Sequence, residues 1–170
     1  MISFLAEVNA KYLYNTTRHF AVFFKGSNGD KAIFRSFVDP QSFYDSLKKI
    51  GASAGENMTL ENKEKTHVQG DRLEITITWK DAKRIYNINE IVRDSNGNAI
   101  DMHFGGNLKR AVKIKTGCLL CLDSCPVGIG SNATYTYGAI EKRKEAALTG
   151  NPELLPPDGT PVIITVKRLP

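Results

Sequence analysis

The three cysteines of this 170-residue chain all lie within eight residues, in Cys118-Leu-Leu-Cys121-Leu-Asp-Ser-Cys125-Pro126. Thiolates are soft, polarisable ligands, and three on one short segment suit a thiophilic metal ion or an iron–sulfur cluster. Structural zinc sites and most clusters take four protein ligands, so three thiols leave one position to fill. Asp123, inside the segment, and His103, the histidine nearest to it in sequence, are the expected fourth donors, with His67 and His19 farther along the chain. A water or a group from a second subunit would also complete the set. The ligand set expected is therefore Cys118, Cys121 and Cys125 with Asp123 or His103, holding zinc or an iron–sulfur cluster for electron transfer or structural support.

Other chemistry competes for the same residues. Bacterial ferredoxins use C-x2-C-x2-C-x3-C-P; this segment keeps a C-x2-C and a terminal x3-C-P and omits the middle step. A C-x2-C pair can also form a disulfide, with Cys125 as an exchanging thiol. Thioredoxin-type chemistry wants that pair at a helix start, whereas here basic residues precede it and glycines follow. Inert thiols packed beside Leu119, Leu120 and Leu122 are a third reading. That reading corresponds to a cofactor-free binding or interaction module.

Elsewhere little points to catalysis. Gly128-Ile-Gly130 lacks both the third glycine of a dinucleotide loop and a Gly-Lys-Ser/Thr ending. Ser124 and Ser131 have no histidine and carboxylate at a hydrolase spacing. Asp94, Asp101 and Asp123 make no calcium loop, and Asp101 with His103 would share one face of a strand. A conventional acid–base enzyme is not expected. The net charge of +5 is spread along the chain. Its local concentration at Lys109, Arg110, Lys113 and Lys115 reads as a solvated helix face, and without interleaved aromatics nucleic acid is not an expected partner. A redox partner protein or a second subunit would fit a centre short of one ligand. No window approaches the roughly 18 apolar residues of a membrane span. Met1–Glu7 shows neither a basic nor an apolar leader region, so no signal peptide is visible in this chain.

The elements that must position these residues read as one α+β domain, 1–170, dominated by antiparallel sheet with a few short helices and a cysteine-rich loop at 116–132. Alternation from Ile2 to Tyr12 predicts a strand, and Arg18–Lys25 and Lys31–Val38 flank a Gly-Ser-Asn-Gly turn as a hairpin. Asp39 and Pro40 open a helix carrying Phe43, Leu47 and Ile50, ended by Gly51. Residues 52–70 read as irregular, with a short strand at 57–60. Leu73–Trp79 alternates as a strand with one wet face, and Arg84–Ile88 pairs back on it. Ser95-Asn96-Gly97-Asn98 predicts a hairpin into Ile100–Phe104. Leu108–Ile114 and 139–148 read as helices, and Val162–Val166 as a buried closing strand.

Several stretches in order resemble the YdjY-like domain family. They are Leu47-Lys-Lys-Ile50-Gly51-Ala52 with Ala54-Gly55, the strand Leu73 to Trp79 with Lys80-Asp81, and Ile91-Val-Arg93-Asp94. Phe104-Gly105-Gly106 and Leu155-Pro156-Pro157-Asp158-Gly159-Thr160-Pro161-Val162 complete the set. The resemblance covers roughly residues 35–168 and implies a bacterial domain of unassigned function, with many exported members and hence an extracytoplasmic setting. Some members carry ferredoxin or iron–sulfur labels. Others lack the cysteines, which implies that the fold does not require them. The resemblance supplies no catalytic residue.

Overall fold

A computed structural model describes residues 1–170. It contains eleven strands, three short α-helices and two single 3-10 turns in one α+β domain. The strands are β1 (Ile2–Val8), β2 (His19–Phe23), β3 (Ala32–Ser36), β4 (Leu73–Trp79), β5 (Tyr86–Asn87) and β6 (Val92–Asp94). They continue with β7 (Met102–Phe104), β8 (Cys118–Cys121), β9 (Gly130–Asn132), β10 (Leu148–Gly150) and β11 (Pro161–Arg168). The helices are α1 (Pro40–Lys49), α2 (Ile88–Ile91) and α3 (Leu108–Ile114).

Nine strands form one sheet in the order β5-β4-β11-β1-β3-β2-β8-β9-β7, and β6 pairs with β10 in a separate ribbon. All pairs are antiparallel except β2–β3 and β8–β9. The closing strand is inserted between β1 and β4, so the two ends of the chain are joined along β1–β11. Inward residues Ala6, Val8, Ile75, Ile77, Val162, Ile164 and Val166 build the core beneath it. Helix α1 lays Phe43 and Leu47 on that core, with the Phe43 ring edge-on to Phe4 at 5.4 Å. Its start is capped as the sequence predicts: the Asp39 carboxylate accepts from the Ser42 N–H at 2.9 Å.

Several local expectations are overturned, each for a visible reason. The runs around β2 and β3 make no hairpin; they lie parallel, His19 beside Ala32 and Phe23 beside Ser36. The intervening segment coils through successive tight turns (Gly26 N–H to Phe23 O, Gly29 to Gly26, Lys31 to Asn28), which carries the chain back along β2 instead of reversing it. Those turns press onto the backbone before β8: a Cβ on Gly26 would stand 2.2 Å from the Thr116 carbonyl oxygen. Nor do residues 92–94 and 102–104 pair, although Gly97 does close a tight turn onto Asp94. Strand β6 takes β10 as its partner, and β7 takes β9. No helix forms at 139–148, where left-handed backbone at Gly138 (φ 88°) and Lys144 (φ 53°) interrupts the turns and Leu148 is claimed by the β10 ladder. Residues 57–60 are not a strand, and the alternation from Ile2 stops at Val8, before a 3-10 turn at Ala10–Leu13.

Candidate metal centre

The segment read as one cysteine-rich loop is not a loop throughout. Cys118–Cys121 is strand β8, buried in the sheet between β2 and β9, and Gly130–Asn132 is strand β9, leaving Thr116-Gly117 and Leu122–Ile129 irregular. On a regular strand, residues three apart point to opposite faces, so Cys118 and Cys121 could not meet. The pairing with β2 resolves this. The register runs His19 to Cys121, Ala21 to Leu120 and Val22 to Cys118, so Phe20 on one strand and Leu119 on the other are extra residues. Each is a bulge, and the bulge at Leu119 shifts the parity of β8 by one. Leu119, Leu120 and Leu122 join the main core, while both thiols collect with Val22, Ala32 and Cys125 in a second, smaller cluster.

The same register brings His19 to the thiols. His19 Nδ1 lies 3.6 Å from Cys118 Sγ, and the ligand atoms of His19, Cys118 and Cys121 are all within 4.8 Å of one another. Cys125 packs into the same small buried cluster, although the group of ligand atoms within 4.8 Å of one another comprises only His19, Cys118 and Cys121. All four residues are nearly inaccessible, from 0% for Cys121 to 3% for His19. The three cysteines are free thiols.

Local structure favours thiolates here. Cys125 Sγ accepts the backbone N–H groups of Val127 at 3.4 Å and Gly128 at 3.2 Å, the arrangement that a Cys-Pro-Val-Gly turn makes when its amides fold back on the sulfur. The Cys125 thiol is pulled down to about 6 by its bond with Cys121, against the opposing effect of burial and with help from the nearby Arg18 guanidinium. Cys118 is lowered, first by the bond from Cys121 and further by His19. Cys121 is raised, first by its neighbours Cys118 and Cys125 and further by burial. Asn28 adds a long amide contact of 3.7 Å to Cys118 Sγ.

The turn carrying Cys125 is held from several directions. Asn107 Nδ2 donates to the carbonyls of Cys125 (3.0 Å) and Gly128 (2.9 Å). Arg110 Nε donates to the Pro126 carbonyl at 2.7 Å, and its other end reaches Met58 O. Arg110 is thus no part of a solvated helix face: it fastens α3 to the cysteine turn. Lys109, Lys113 and Lys115 are exposed as expected.

The two predicted fourth donors are engaged elsewhere. Asp123 is completely buried, and its carboxylate takes Arg18 Nη2 at 2.7 Å, Arg18 Nε at 3.1 Å and the Gly138 N–H at 3.2 Å. Burial raises its proton affinity and Arg18 pulls it back. His103 sits on β7, two strands beyond β8, with its ring nitrogens on the Gly70 carbonyl (2.8 Å) and Asp101 (3.1 Å). Arg72 completes that surface network by binding Asp101 at 2.8 Å. His67 Nδ1 contacts the Ala133 carbonyl at 2.5 Å.

His19, expected only as a more distant alternative to His103, is the histidine that the fold brings beside the thiols. Its signal was present: it stands in the unbroken apolar run His19–Phe23, and a polar ring buried on such a strand must find a partner. What the spacing could not supply was the pairing, since His19 and Cys118 are 99 residues apart.

Sequence comparison gives the chain relatives but no activity. The YdjY domain model matches residues 1–167. The chain is 51% identical over 166 residues to the uncharacterized protein YdjY of Escherichia coli (strain K12), covering 98% of this chain and 74% of that one. No solved structure matches it.

Proposed function

The chain belongs to the YdjY family, and we propose that this member is a metal-binding protein whose centre holds one thiophilic ion, zinc above all, between Cys118, Cys121, Cys125 and His19. The observation that carries the reading is the His19 Nδ1 to Cys118 Sγ separation of 3.6 Å. Zinc–sulfur and zinc–nitrogen bonds of about 2.3 and 2.05 Å at a tetrahedral angle put the two ligand atoms about 3.6 Å apart. A single ion therefore fits the triad with little rearrangement. An iron–sulfur cluster interposes several iron and sulfide atoms between its ligands, so its thiolates stand farther apart than those of one ion.

The chemistry of the donors supports the same reading. A ligating sulfur must be deprotonated, and two backbone N–H groups already solvate the Cys125 sulfur as an anion. With His19 from the same chain as fourth donor, no second subunit is needed to complete the set. Four buried protein ligands leave no open position for substrate, which is the pattern of structural zinc rather than catalytic zinc. The ion would tie β2, β8 and the Cys125 turn together.

The test is metal analysis of protein prepared anaerobically under reducing conditions, with X-ray absorption at the edge of the metal found. One zinc per chain with sulfur and one nitrogen in the first shell is the expected result. Iron with stoichiometric sulfide would replace this reading by a cluster and bring electron transfer with it. Protein free of metal, and unable to take up zinc from a buffered solution, would leave a cofactor-free module with inert or disulfide-forming thiols.

A further inference from the structure

Strands β11, β1, β3 and β2 lie side by side, and their register lines up one exposed apolar residue from each in a single row. Leu5 is the cross-strand partner of Ile163, and its carbonyl accepts the Phe37 N–H at 3.1 Å. Phe37, immediately past β3, meets the ring of Phe24, immediately past β2, at 5.6 Å. Leu5 is 49% exposed, Ile163 and Phe37 46% and Phe24 44%, whereas Ala6, Ser36 and Ile164 on the inner face are completely buried. Apolar residues scattered singly over a surface need no explanation, but neighbours on four adjacent strands form a patch.

The two flanks of the row carry opposite charge. Strand β1 runs antiparallel to β3 and to β11, and β2 runs parallel to β3, so β2, β3 and β11 share one direction. On the side where those three begin, three carboxylates surround a single guanidinium: Arg35 meets Asp30 at 2.9 Å, Glu7 at 3.4 Å and Asp158 at 3.8 Å. On the side where they end stand Lys167, exposed at the end of β11, and Lys25, over the Phe24 ring at 5.5 Å. Lys115 lines the same hollow as Lys25. The carboxylates on this side are Glu74, opposite Lys167, and Asp39, which is spent on the cap of α1. One flank is therefore acidic and the other basic.

The geometry points to this face as the docking surface for a second copy of the chain, the two sheets packed face to face about a two-fold axis that runs along the row. Such an axis sets Leu5 and Phe37 each against the same residue of the other copy. It also lays the acidic flank of each copy over the basic flank of the other, and this self-complementarity is what selects a second copy as the occupant. An anionic membrane surface would meet Glu7, Asp30 and Asp158 beside the apolar row and be repelled there. The inference is independent of the metal centre.

The experiment is sedimentation equilibrium of the full chain in reducing buffer, from about 1 μM to 1 mM. A reversible monomer–dimer equilibrium is expected. Leu5→Asp removes a half-exposed leucine from both copies at once, a loss of burial worth about 30-fold in the dissociation constant. It also brings two like charges together on the axis, as Leu5→Lys does with the opposite sign. An equimolar mixture of the two variants is expected to dimerise where neither does alone, because aspartate then faces lysine. Wild-type protein that stays monomeric throughout overturns the proposal, as does a dimer that Leu5→Asp leaves unchanged. A dimer lost in both variants and not regained in their mixture overturns it too, since the two-fold placement then fails. Should the Leu5 variants fail to fold by circular dichroism, Phe37→Ser and Phe24→Ser decide: weakening on the same scale supports the interface, and an unchanged dimer overturns it.

Discussion

Gly128 offers a way to disturb the centre without touching a ligand. A Cβ at this position would stand 2.7 Å from Cys121 Sγ, 3.2 Å from the Gly130 carbonyl oxygen and 3.5 Å from Cys125 Cβ. Ordinary contact between such atoms is about 3.5–4.0 Å, so Gly128→Ala must displace the Cys121 sulfur by about 0.8 Å or push the turn away by as much. Cys121 is completely buried and its strand is paired on both sides, so neither route is free. Overpacking of this kind costs about 1–3 kcal/mol. Metal–ligand distances, however, tolerate only about 0.2 Å. Stability and metal affinity should therefore respond unequally. In urea titrations the metal-free variant should lose about 1–3 kcal/mol, while chelator competition should show zinc binding weakened by at least about tenfold, the scale seen when groups supporting a ligand are altered. A variant that loses the stability yet binds zinc as tightly as wild type would refute the assignment of Cys121 to the first shell. A variant unchanged in both would show that the packing around Gly128 is looser than described.

Three further outcomes test separate parts of the description. His19→Gln should weaken zinc binding by more than about 100-fold, beyond what loss of a supporting group brings, whereas His103→Gln should leave it unchanged; competition titration of the two variants separates the histidines. Glu90 is held down to about 2 by Arg84 and by the Asn87 N–H. A carboxyl lowered below its unfolded value of about 4.3 stabilises the fold fully above that pH and loses the contribution as pH falls through 2. Glu90→Gln should accordingly lower the urea midpoint at pH 7 and converge on wild type at the acid end, the gap closing from about pH 4 downward. Asp39→Ala removes the acceptor of the Ser42 N–H and should cost about 1 kcal/mol in the same assay, recovered largely by Asp39→Ser.

The parts of the fold that were readable from sequence are those governed by neighbours in the chain. Helix α1 announces itself through Asp39, Pro40 and the Phe43–Leu47 stripe, and β4 and β11 through alternation on one buried face. The failures came where distant partners decide. Ser95-Asn96-Gly97-Asn98 is a good turn, yet β6 prefers β10 because Val92 and Leu148 are buried together in the main core. Residues 139–148 carry helix-forming side chains, but left-handed backbone at Lys144 interrupts the turns and Leu148 is held in the β10 ladder.

The candidate site divides the same way. Its three thiols were plain from composition alone. The strand beneath Cys118 and Cys121 was hidden because C-x2-C contradicts the strand period, and only a bulge reconciles the two. Asp123 looked like a ligand because it lies between cysteines; its true partner, Arg18, is 105 residues away.

That long separation gives the centre a history as well as a shape. The cysteines are neighbours in the chain, so an unfolded or nascent polypeptide can already grip a soft ion with Cys118, Cys121 and Cys125. The histidine arrives only when β2 and β8 have paired, closing a loop of about a hundred residues whose entropy must be met by the rest of the sheet. An ion that also binds the unfolded chain stabilises the native state only by the difference between the two affinities. On the ligand set proposed here, the worth of an ion to folding would be set by the last ligand to arrive, His19, which would turn a loosely held ion into a fixed part of the protein.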